Sequence, residues 1–325
     1  MAKVRIAAWC SAVCAAYAPG LFLLACASES QALSQAKHVA GGPSEEDSNG
    51  RLAAEIRSAL EVDPLPSFNG EVRFELEMHL PAKPESGRDQ VDVVQSWRIV
   101  AEDGGRFLRG EVTWLQGEVV GYTRMFGETP GAFWTASLGT LTVVNKEVKG
   151  NMPEREYGPY LRIAEGYVQQ ARQELRNILD TESLRAAPDD SKFSNVTPST
   201  SGASSVVHRD DRLLDVAFDR FGRNWVVSSI VKRTPHATLF FSLGDYQPIG
   251  DMLVPGWIHY RSEESTNGGE TILYKGIQAE IISDESDLRE RVNIPHVEET
   301  STATHALQAR IEYTREGTKA FSPLP

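Results

Sequence analysis

The chain has 325 residues, of which 41% are apolar, so it can bury the core of one large domain or of two small ones. Its formal net charge of −12 becomes −14 when the two cations of the first 25 residues, Lys3 and Arg5, are left out. An acidic surface of this size repels phosphate backbones, so we expect no nucleic-acid partner.

The first 25 residues have the pattern of a bacterial secretory leader. A short basic region at residues 1–5 precedes an uncharged apolar stretch at residues 6–25, which ends in small residues. Two cleavage patterns compete at its end. Ala25-Cys26-Ala27 fits an ordinary signal peptidase, whereas Leu23-Leu24-Ala25-Cys26 resembles the lipobox of bacterial lipoproteins. A third interpretation keeps residues 6–25 as a membrane anchor, because about 20 apolar residues span a bilayer.

The cysteine count favours the lipobox. Cys10, Cys14 and Cys26 are the only cysteines, so no later residue pairs with Cys26 in an oxidising compartment. We therefore predict that Cys26 is the lipid-attachment site and anchors the chain to a membrane of the cell envelope. Without acylation the protein would be secreted. Residues 26–49 are rich in Ser, Gln, Gly, Pro and Glu, which predicts a disordered tether.

The folded part is predicted as a single domain at residues 50–315, and its first half is a run of strands. Residues 51–61 carry apolar side chains at helical spacing, and residues 72–80 alternate apolar and polar side chains with a period of two. Short turns that contain glycine join the strands that follow, which is typical of an antiparallel meander. These further strands are predicted at 91–100, 106–114, 118–126, 131–137 and 140–148.

One long helix interrupts the strands. Residues 159–179 place a wide apolar stripe on one side of a helix, so this helix must pack against the sheet. The polar segment near 181–206 predicts a loop insertion. Strands then resume at 213–221, 225–232, 237–246, 254–262 and 270–282, and are followed by a helical turn at 284–288, a last strand at 307–313 and a tail at 316–325.

The stretch Gly244–Ser262 has the pattern of a hairpin. Its first strand ends at Tyr246, a turn contains Gly250, and Pro255 leads into the next strand. The aromatic residues Trp257 and Tyr260 occupy ordinary strand positions there. The stretch therefore indicates sheet building, and it contributes no catalytic pattern.

Three short motifs accompany the order helix, meander, helix and second meander. They are Arg106-Phe107-Leu108-Arg109 after a turn, Asp219-Arg220-Phe221-Gly222 between paired strands, and Asp245-Tyr246, Gly250 and Val254-Pro255 before a late strand. Together they resemble the periplasmic lipoprotein-sorting (LolA/LolB-like) superfamily, over roughly residues 65–295. The resemblance implies a mainly β (α+β) fold, in which a curved antiparallel sheet forms a half-barrel covered by one or two helices and holds acyl chains on its concave apolar face.

The alternation along the strands supplies residues that would line such a cavity. A curved sheet leaves an apolar cavity if its covering helices fill it incompletely. The alternative for each of these residues is a place in a packed core. The candidates for the apolar-ligand cavity are Phe74, Leu76, Met78, Trp97, Ile99, Phe107, Trp114, Trp134, Trp225 and Phe240.

The sequence predicts no enzyme, no metal site and no cofactor. The acid pairs Asp189-Asp190 and Asp210-Asp211 lie in polar loop sequence, where solvated carboxylates are normal. The seven histidines lack the short spacings of metal sites, and His79 and His259 lie in separate strands. Neither a Gly-x-Ser-x-Gly nucleophile turn nor a phosphate-binding glycine loop occurs.

Two functions are expected from these observations and from the resemblance. The first is an exported, lipid-anchored bacterial envelope protein, in the periplasm or at the outer membrane, that binds an acyl chain or a lipoprotein in the concave face of its sheet. The alternative is a non-catalytic structural or partner-binding envelope lipoprotein with a filled core.

Overall fold

A computed structural model describes the chain from residue 50 to residue 321, with gaps. The predicted leader, Cys26 and the tether lie outside the described residues, and so do the acid pairs Asp189-Asp190 and Asp210-Asp211. No helix among the residues described is long and apolar enough to cross a membrane. The described residues are 50–52, 54–55, 68–82, 89–148, 152–179, 196–198, 202–209, 212–233, 237–264, 269–295 and 309–321.

The first half of the fold is an antiparallel meander followed by a long helix. From the second strand onward, short turns connect the strands in chain order, as the glycine-containing spacers predict. Its elements are β1 (Gly70–Leu80), β2 (Val91–Glu102), β3 (Phe107–Gln116), β4 (Thr123–Glu128), β5 (Ala132–Ser137), β6 (Thr140–Asn145) and α1 (Glu154–Leu179).

The second half adds more strands and a short helix, α2. Asp284 caps α2, because its Oδ1 accepts a hydrogen bond from the backbone N–H of Ser286 at 2.8 Å. The elements are β7 (Val196–Pro198), β8 (Gly202–Arg209), β9 (Arg212–Phe221), β10 (Asn224–Arg233), β11 (Ala237–Gly244), β12 (Gln247–Ile249), β13 (Met252–Val254), β14 (Trp257–Glu264), β15 (Thr271–Ile281), α2 (Glu285–Val292), β16 (Ala309–Thr314) and β17 (Gly317–Phe321).

Fifteen of the strands form one curved sheet that does not close on itself. Its order is β17-β16-β6-β5-β4-β3-β2-β1-β15-β14-β11-β10-β9-β8-β7, and β12 pairs with β13 separately. The strand with the strictest alternation, β1, joins the two meanders, since it pairs with β2 on one side and β15 on the other. The predicted fold class, a mainly β curved sheet covered by few helices, is confirmed.

Several predicted boundaries differ from the structure. Helix α1 begins at Glu154, so Pro159 lies inside it rather than at its start. The loop predicted near 181–206 contains β7 and the start of β8, and the predicted tail contains β17. These strands form hairpins with their sequence neighbours. Strand β16 runs parallel to β6, whereas the meander pattern predicts antiparallel neighbours. This last pairing joins distant segments, which no local pattern records.

The two faces of the sheet are distinguished by their helices. We call the face that contacts α1 the inner face and the face that contacts α2 the outer face. Helix α1 crosses the inner face from β6, where Leu161 packs near Val144, to β4, where the rings of Tyr167 and Phe126 stack with centroids 5.3 Å apart. It reaches β15 with its C-terminal half, as the contact with Tyr274 shows.

Charged hydrogen bonds fix α1 to the sheet. The Arg172 guanidinium donates to the backbone oxygens of Gly105 at 2.8 Å and Arg106 at 2.7 Å, and to Glu128 Oε2 at 2.6 Å. Lys146 Nζ donates to the other oxygen of Glu128 at 2.6 Å. Because Glu128 is buried, this pairing satisfies a carboxylate that would otherwise be destabilising.

The outer face carries a second buried carboxylate, Glu71 of β1. Arg98 donates to both of its oxygens, at 2.8 and 2.9 Å, and Arg73 donates to Oε1. Arg291 of α2 lies 3.6 Å from Oε2. Burial by itself raises the pKa of Glu71, but the hydrogen bonds from Arg98 and Arg73 outweigh it, so the pKa lies below its ordinary value.

Candidate functional site

Most of the predicted cavity residues meet on the inner face. They belong to one apolar cluster that also contains the α1 residues Tyr167, Val168 and Leu175, and each of them is more than nine-tenths buried. The structure therefore brings together the residues that the alternation placed on one face. They are Phe74, Leu76, Met78, Trp97, Ile99, Trp114 and Trp225.

The other three predicted residues lie elsewhere. Trp134 is fully buried in a separate cluster with Val143 and Ile294. Phe107 packs against the cluster that α2 covers. Phe240 faces Arg261, whose guanidinium carbon lies 4.8 Å from its ring centroid. The structure thus separates these three from the inner cluster, and their part in a cavity stays a prediction.

The half of the inner face beneath α1 is filled. Phe74 stacks on Trp97 with ring centroids 6.0 Å apart, Trp97 meets Phe126 at 6.1 Å, and Phe126 stacks on Tyr167 of α1. This continuous aromatic contact leaves side chains in van der Waals contact from sheet to helix. This half is a packed core.

Beyond α1 the inner face carries apolar side chains that are only half-buried. Phe241 of β11, Tyr260 of β14 and Ile272 of β15 are neighbours in register and only half-buried. We call these three residues the apolar strip. The same row continues into Met78 of β1 and Ile230 of β10, which are both buried, so the strip lies on the inner face.

The sequence predictions chose Phe240 and missed its neighbour Phe241. Successive residues of a strand point to opposite faces, so only one of the two phenylalanines lies on the inner face. The signal that identifies it is Ser242, which places position 240 on the more polar side and positions 239, 241 and 243 on the apolar side.

A hydrogen-bonded polar network borders the strip. The Tyr274 hydroxyl of β15 donates to Glu174 Oε2 of α1 at 2.6 Å and accepts from Asn177 Nδ2 at 2.9 Å. Gln173 Nε2 donates to Asn177 Oδ1 at 2.9 Å, and Gln170 also bonds to Glu174. We call these five residues the α1 polar network. It links the end of α1 to the central part of the sheet.

Glu174 is the titratable group of this network. Burial in the apolar interface raises its pKa to about 7, and the hydrogen bonds from Tyr274, Asn177 and Gln170 offset part of that rise. The sequence analysis did not single out Glu174. The signal that could have identified it is its spacing, since it lies seven residues after Tyr167 and three after Ala171 on the apolar stripe.

The described residues hold no candidate metal centre. No group of three or more His, Cys, Asp and Glu side chains gathers in that part of the chain. His79 pairs with Thr271 of β15, and Thr271 pairs with Arg261 of β14. Arg261 therefore lies two strand spacings, about 10 Å, from His79, and His259 lies a further two residues along β14. This separation is too large for a shared metal ion.

Comparison with solved structures finds similar folds at low sequence identity. A domain described as an outer membrane lipoprotein-sorting protein, from Vibrio parahaemolyticus, has a TM-score of 0.32 and 11% identity, covering 76% of this chain and 98% of its own. A LolA superfamily protein from Nitrosomonas europaea has a TM-score of 0.33 and 9% identity, covering 72% and 96%. The chain matches no protein-family model and no curated protein sequence.

Proposed function

We propose that the protein is a membrane-tethered envelope protein that binds an apolar ligand, an acyl chain or an acylated protein, along the apolar strip. The observation that carries this proposal is the half-buried state of Phe241, Tyr260 and Ile272 on the same face as the buried core. Contiguous apolar side chains that water still reaches are a favoured place for an apolar ligand.

The filled half of the inner face gives this site a rigid support. The strip continues the rows of Met78 and Ile230, whose side chains are held in the packed core. A ligand on the strip meets residues that are already ordered, so little conformational entropy is lost on binding. Each methylene that it buries contributes about 0.8 kcal/mol.

The alternative function, a non-catalytic structural or partner-binding envelope lipoprotein with a filled core, is favoured by the aromatic contacts beneath α1. The two proposals differ only in the occupant of the strip. In the alternative the strip is ordinary surface, and an acyl ligand gains nothing there.

Binding of a fluorescent acyl probe tests the proposal. The full chain is produced with Cys26→Ser, so that its own acyl anchor does not compete. We expect saturable binding that Phe241→Asp weakens at least about tenfold, because a buried carboxylate beside an acyl chain is strongly unfavourable. Phe240→Asp is the matched control, since it places the same charge on the neighbouring half-buried residue of the opposite face.

The control variant is expected to bind within about twofold of the parent, which is small beside a tenfold loss. Absence of saturable binding by the parent protein would reject the proposal and favour the structural alternative. Equal losses in the two variants, with unchanged folding by circular dichroism, would place the probe outside the strip.

The anchoring part of the proposal rests on Cys26. A bacterial lipoprotein carries several acyl chains, which give stable membrane attachment where one chain is marginal. Mass spectrometry of the N-terminus of the protein from membranes is expected to find acylated Cys26 as the first residue. An unmodified N-terminus beyond Cys26 would show instead that the mature protein is secreted.

A further inference from the structure

We infer that the α1 polar network contacts the polar group of the ligand, and that Glu174 selects ligands whose polar group is neutral or cationic over those with a carboxylate or phosphate. This inference rests on the proposed function, because it concerns the same ligand. It assigns a chemical class to the ligand head and a specificity role to Glu174.

The polar network lies along one side of the apolar strip. The strip runs across the strands, and Tyr274 stands two residues after Ile272 on β15 and points to the same inner face, so its Cα lies about 7 Å along the strand. Its ladder neighbours in that next row are Leu76 and Ile258, both buried. An acyl chain on the strip therefore has the network on this side of it.

The network offers hydrogen-bonding groups without a cation. Its amides, Gln170, Gln173 and Asn177, are half-buried and so remain accessible to a polar group. Among the residues that the structure describes, no Lys or Arg influences the pKa of Glu174. Two cations lie two residues from Glu174 along α1. Arg172 is turned to Glu128 and to two backbone oxygens, and Arg176 is exposed.

The charge of Glu174 then determines which polar groups of a ligand bind favourably beside the network. A carboxylate or phosphate placed beside an ionised carboxylate of low solvation is repelled, whereas an ammonium group or a hydroxyl gains a charge-assisted hydrogen bond. Binding of fatty acids is thus disfavoured, and a neutral glycerol ester or an amine is favoured. Above neutral pH the discrimination is strongest, since Glu174 is then ionised.

The opposite side of the strip carries charges of both signs. Lys232 of β10 lies one row beyond Ile230 and Phe241 on the inner face by register, and Glu270 precedes β15 on the same side. An anionic ligand held at Lys232 would show the reverse selectivity. The experiment must therefore separate the two sides.

Three probes with the same twelve-carbon chain make this separation. Dodecylammonium, monolauroylglycerol and laurate are titrated below their critical micelle concentrations at pH 8.5, each displacing a neutral fluorescent probe from the Cys26→Ser chain. We expect dodecylammonium and monolauroylglycerol to bind at least about tenfold more tightly than laurate, the size of one charge-assisted interaction.

Variants assign the selectivity to its residue. Glu174→Gln keeps the shape and removes the charge, so the ratio of ammonium to laurate affinity is expected to fall about tenfold. Glu154→Gln, an exposed position of the same helix, is the control and leaves the ratio unchanged. Phe241→Asp is not used here, because it alters the strip itself.

Two results would overturn the inference. Equal affinities for the three probes, or an unchanged ratio in Glu174→Gln, would show that the ligand head does not contact the network while the apolar site still exists. A preference for laurate that Lys232→Gln abolishes would place the polar group of the ligand on the Lys232 side of the strip, away from the α1 polar network. Failure of every probe, including the neutral fluorescent one, would reject the proposed function as well.

Discussion

The Tyr274 hydroxyl donates a 2.6 Å hydrogen bond to Glu174 Oε2 and so ties helix α1 to strand β15 across an otherwise apolar interface. Both side chains are more than nine-tenths buried. The contact joins the filled half of the inner face to the part that carries the apolar strip. It also keeps a carboxyl group where its ionisation is unfavourable, which links protein stability to pH.

The contribution of Glu174 to the free energy of unfolding is expected to fall as the pH rises from about 4.5 to above 7. Its pKa is raised from 4.5 to about 7 on folding, so the folded state holds its proton more tightly, and this stabilisation is complete below pH 4.5. Glu174→Gln keeps the neutral form. It should match the parent at pH 4 and exceed it by up to about 3 kcal/mol at pH 8.5.

Urea unfolding at the two pH values measures this difference, with Glu154→Gln as the control. Glu154 is exposed on the same helix, so its replacement should shift the unfolding free energy by at most about 0.5 kcal/mol at either pH. A Glu174→Gln protein that gains no relative stability at pH 8.5 would contradict the expected ionisation.

Removing the Glu71 carboxylate is expected to destabilise the protein by about 3 kcal/mol. Glu71→Ala leaves Arg73 and Arg98 opposite each other on β1 and β2 without the carboxylate that both contact. The lowered pKa of Glu71 gives a stabilisation that is present above pH 4.5 and is lost as the pH falls below it.

Urea unfolding of Glu71→Ala at pH 7 and pH 3 tests both statements. Glu75→Ala is the matched control, because it lies on the same face of the same strand but is exposed. Its effect should stay within about 0.5 kcal/mol. Equal effects of the two substitutions at pH 7 would refute a structural role for the buried carboxylate.

Gly110→Ala is expected to cost about 2 kcal/mol of stability. Gly110 pairs with Phe126, and a Cβ atom at position 110 would lie 2.3 Å from Cζ of that ring. The ring has no room to move, since it contacts Trp97 and Tyr167. A smaller partner removes the clash, so Gly110→Ala should be nearly neutral in a Phe126→Leu background.

Thermal unfolding of the single and double variants measures this coupling. Gly131→Ala serves as the control, because a Cβ atom there meets nothing within 4 Å. It should be neutral or slightly stabilising, by up to about 1 kcal/mol, through its effect on the unfolded chain. A Gly110→Ala protein as stable as the parent would mean that Phe126 can shift.

Arg172→Lys is expected to destabilise the docking of α1 by about 2 kcal/mol. The planar guanidinium serves three acceptors at once, two backbone oxygens and Glu128, and an ammonium group does not reproduce that geometry. Arg162→Lys, at an exposed position of α1, should change the unfolding free energy by less than about 0.5 kcal/mol in the same urea titration. Similar losses in both variants would argue against an anchoring role for Arg172.

Much of the architecture could be predicted from local patterns. The alternation of Val72, Phe74 and Leu76 with charged residues predicts the inner and outer faces of β1, and the structure confirms it. The apolar stripe of α1 likewise predicts a helix packed on the sheet. In both cases one side of a regular element is buried. The spacing of the apolar residues, two in a strand and about 3.6 in a helix, therefore identifies the type of element and its buried face.

The candidate site was less accessible to such reasoning. Phe240 and Phe241 are adjacent and chemically identical, and Ser242 is the one local signal that separates their faces. The pairing of Phe241 with Tyr260 and Ile230 then assigns it to the inner face. Bulges add to the difficulty, since the irregularity between Val227 and Ser229 shifts the register of β10 by one residue. A one-residue shift moves every later side chain to the other face.

The sequence by itself determined the mainly β class, the amphipathic helix and the face of β1 that is buried, because these follow from periods of two and 3.6 residues within single elements. Only the tertiary structure decided that α1 fills one half of the inner face and that Phe241 belongs to the apolar strip on the same face. It also decided that Glu174 of α1 meets Tyr274 of β15. Those contacts join residues up to 100 positions apart, and no local period encodes them.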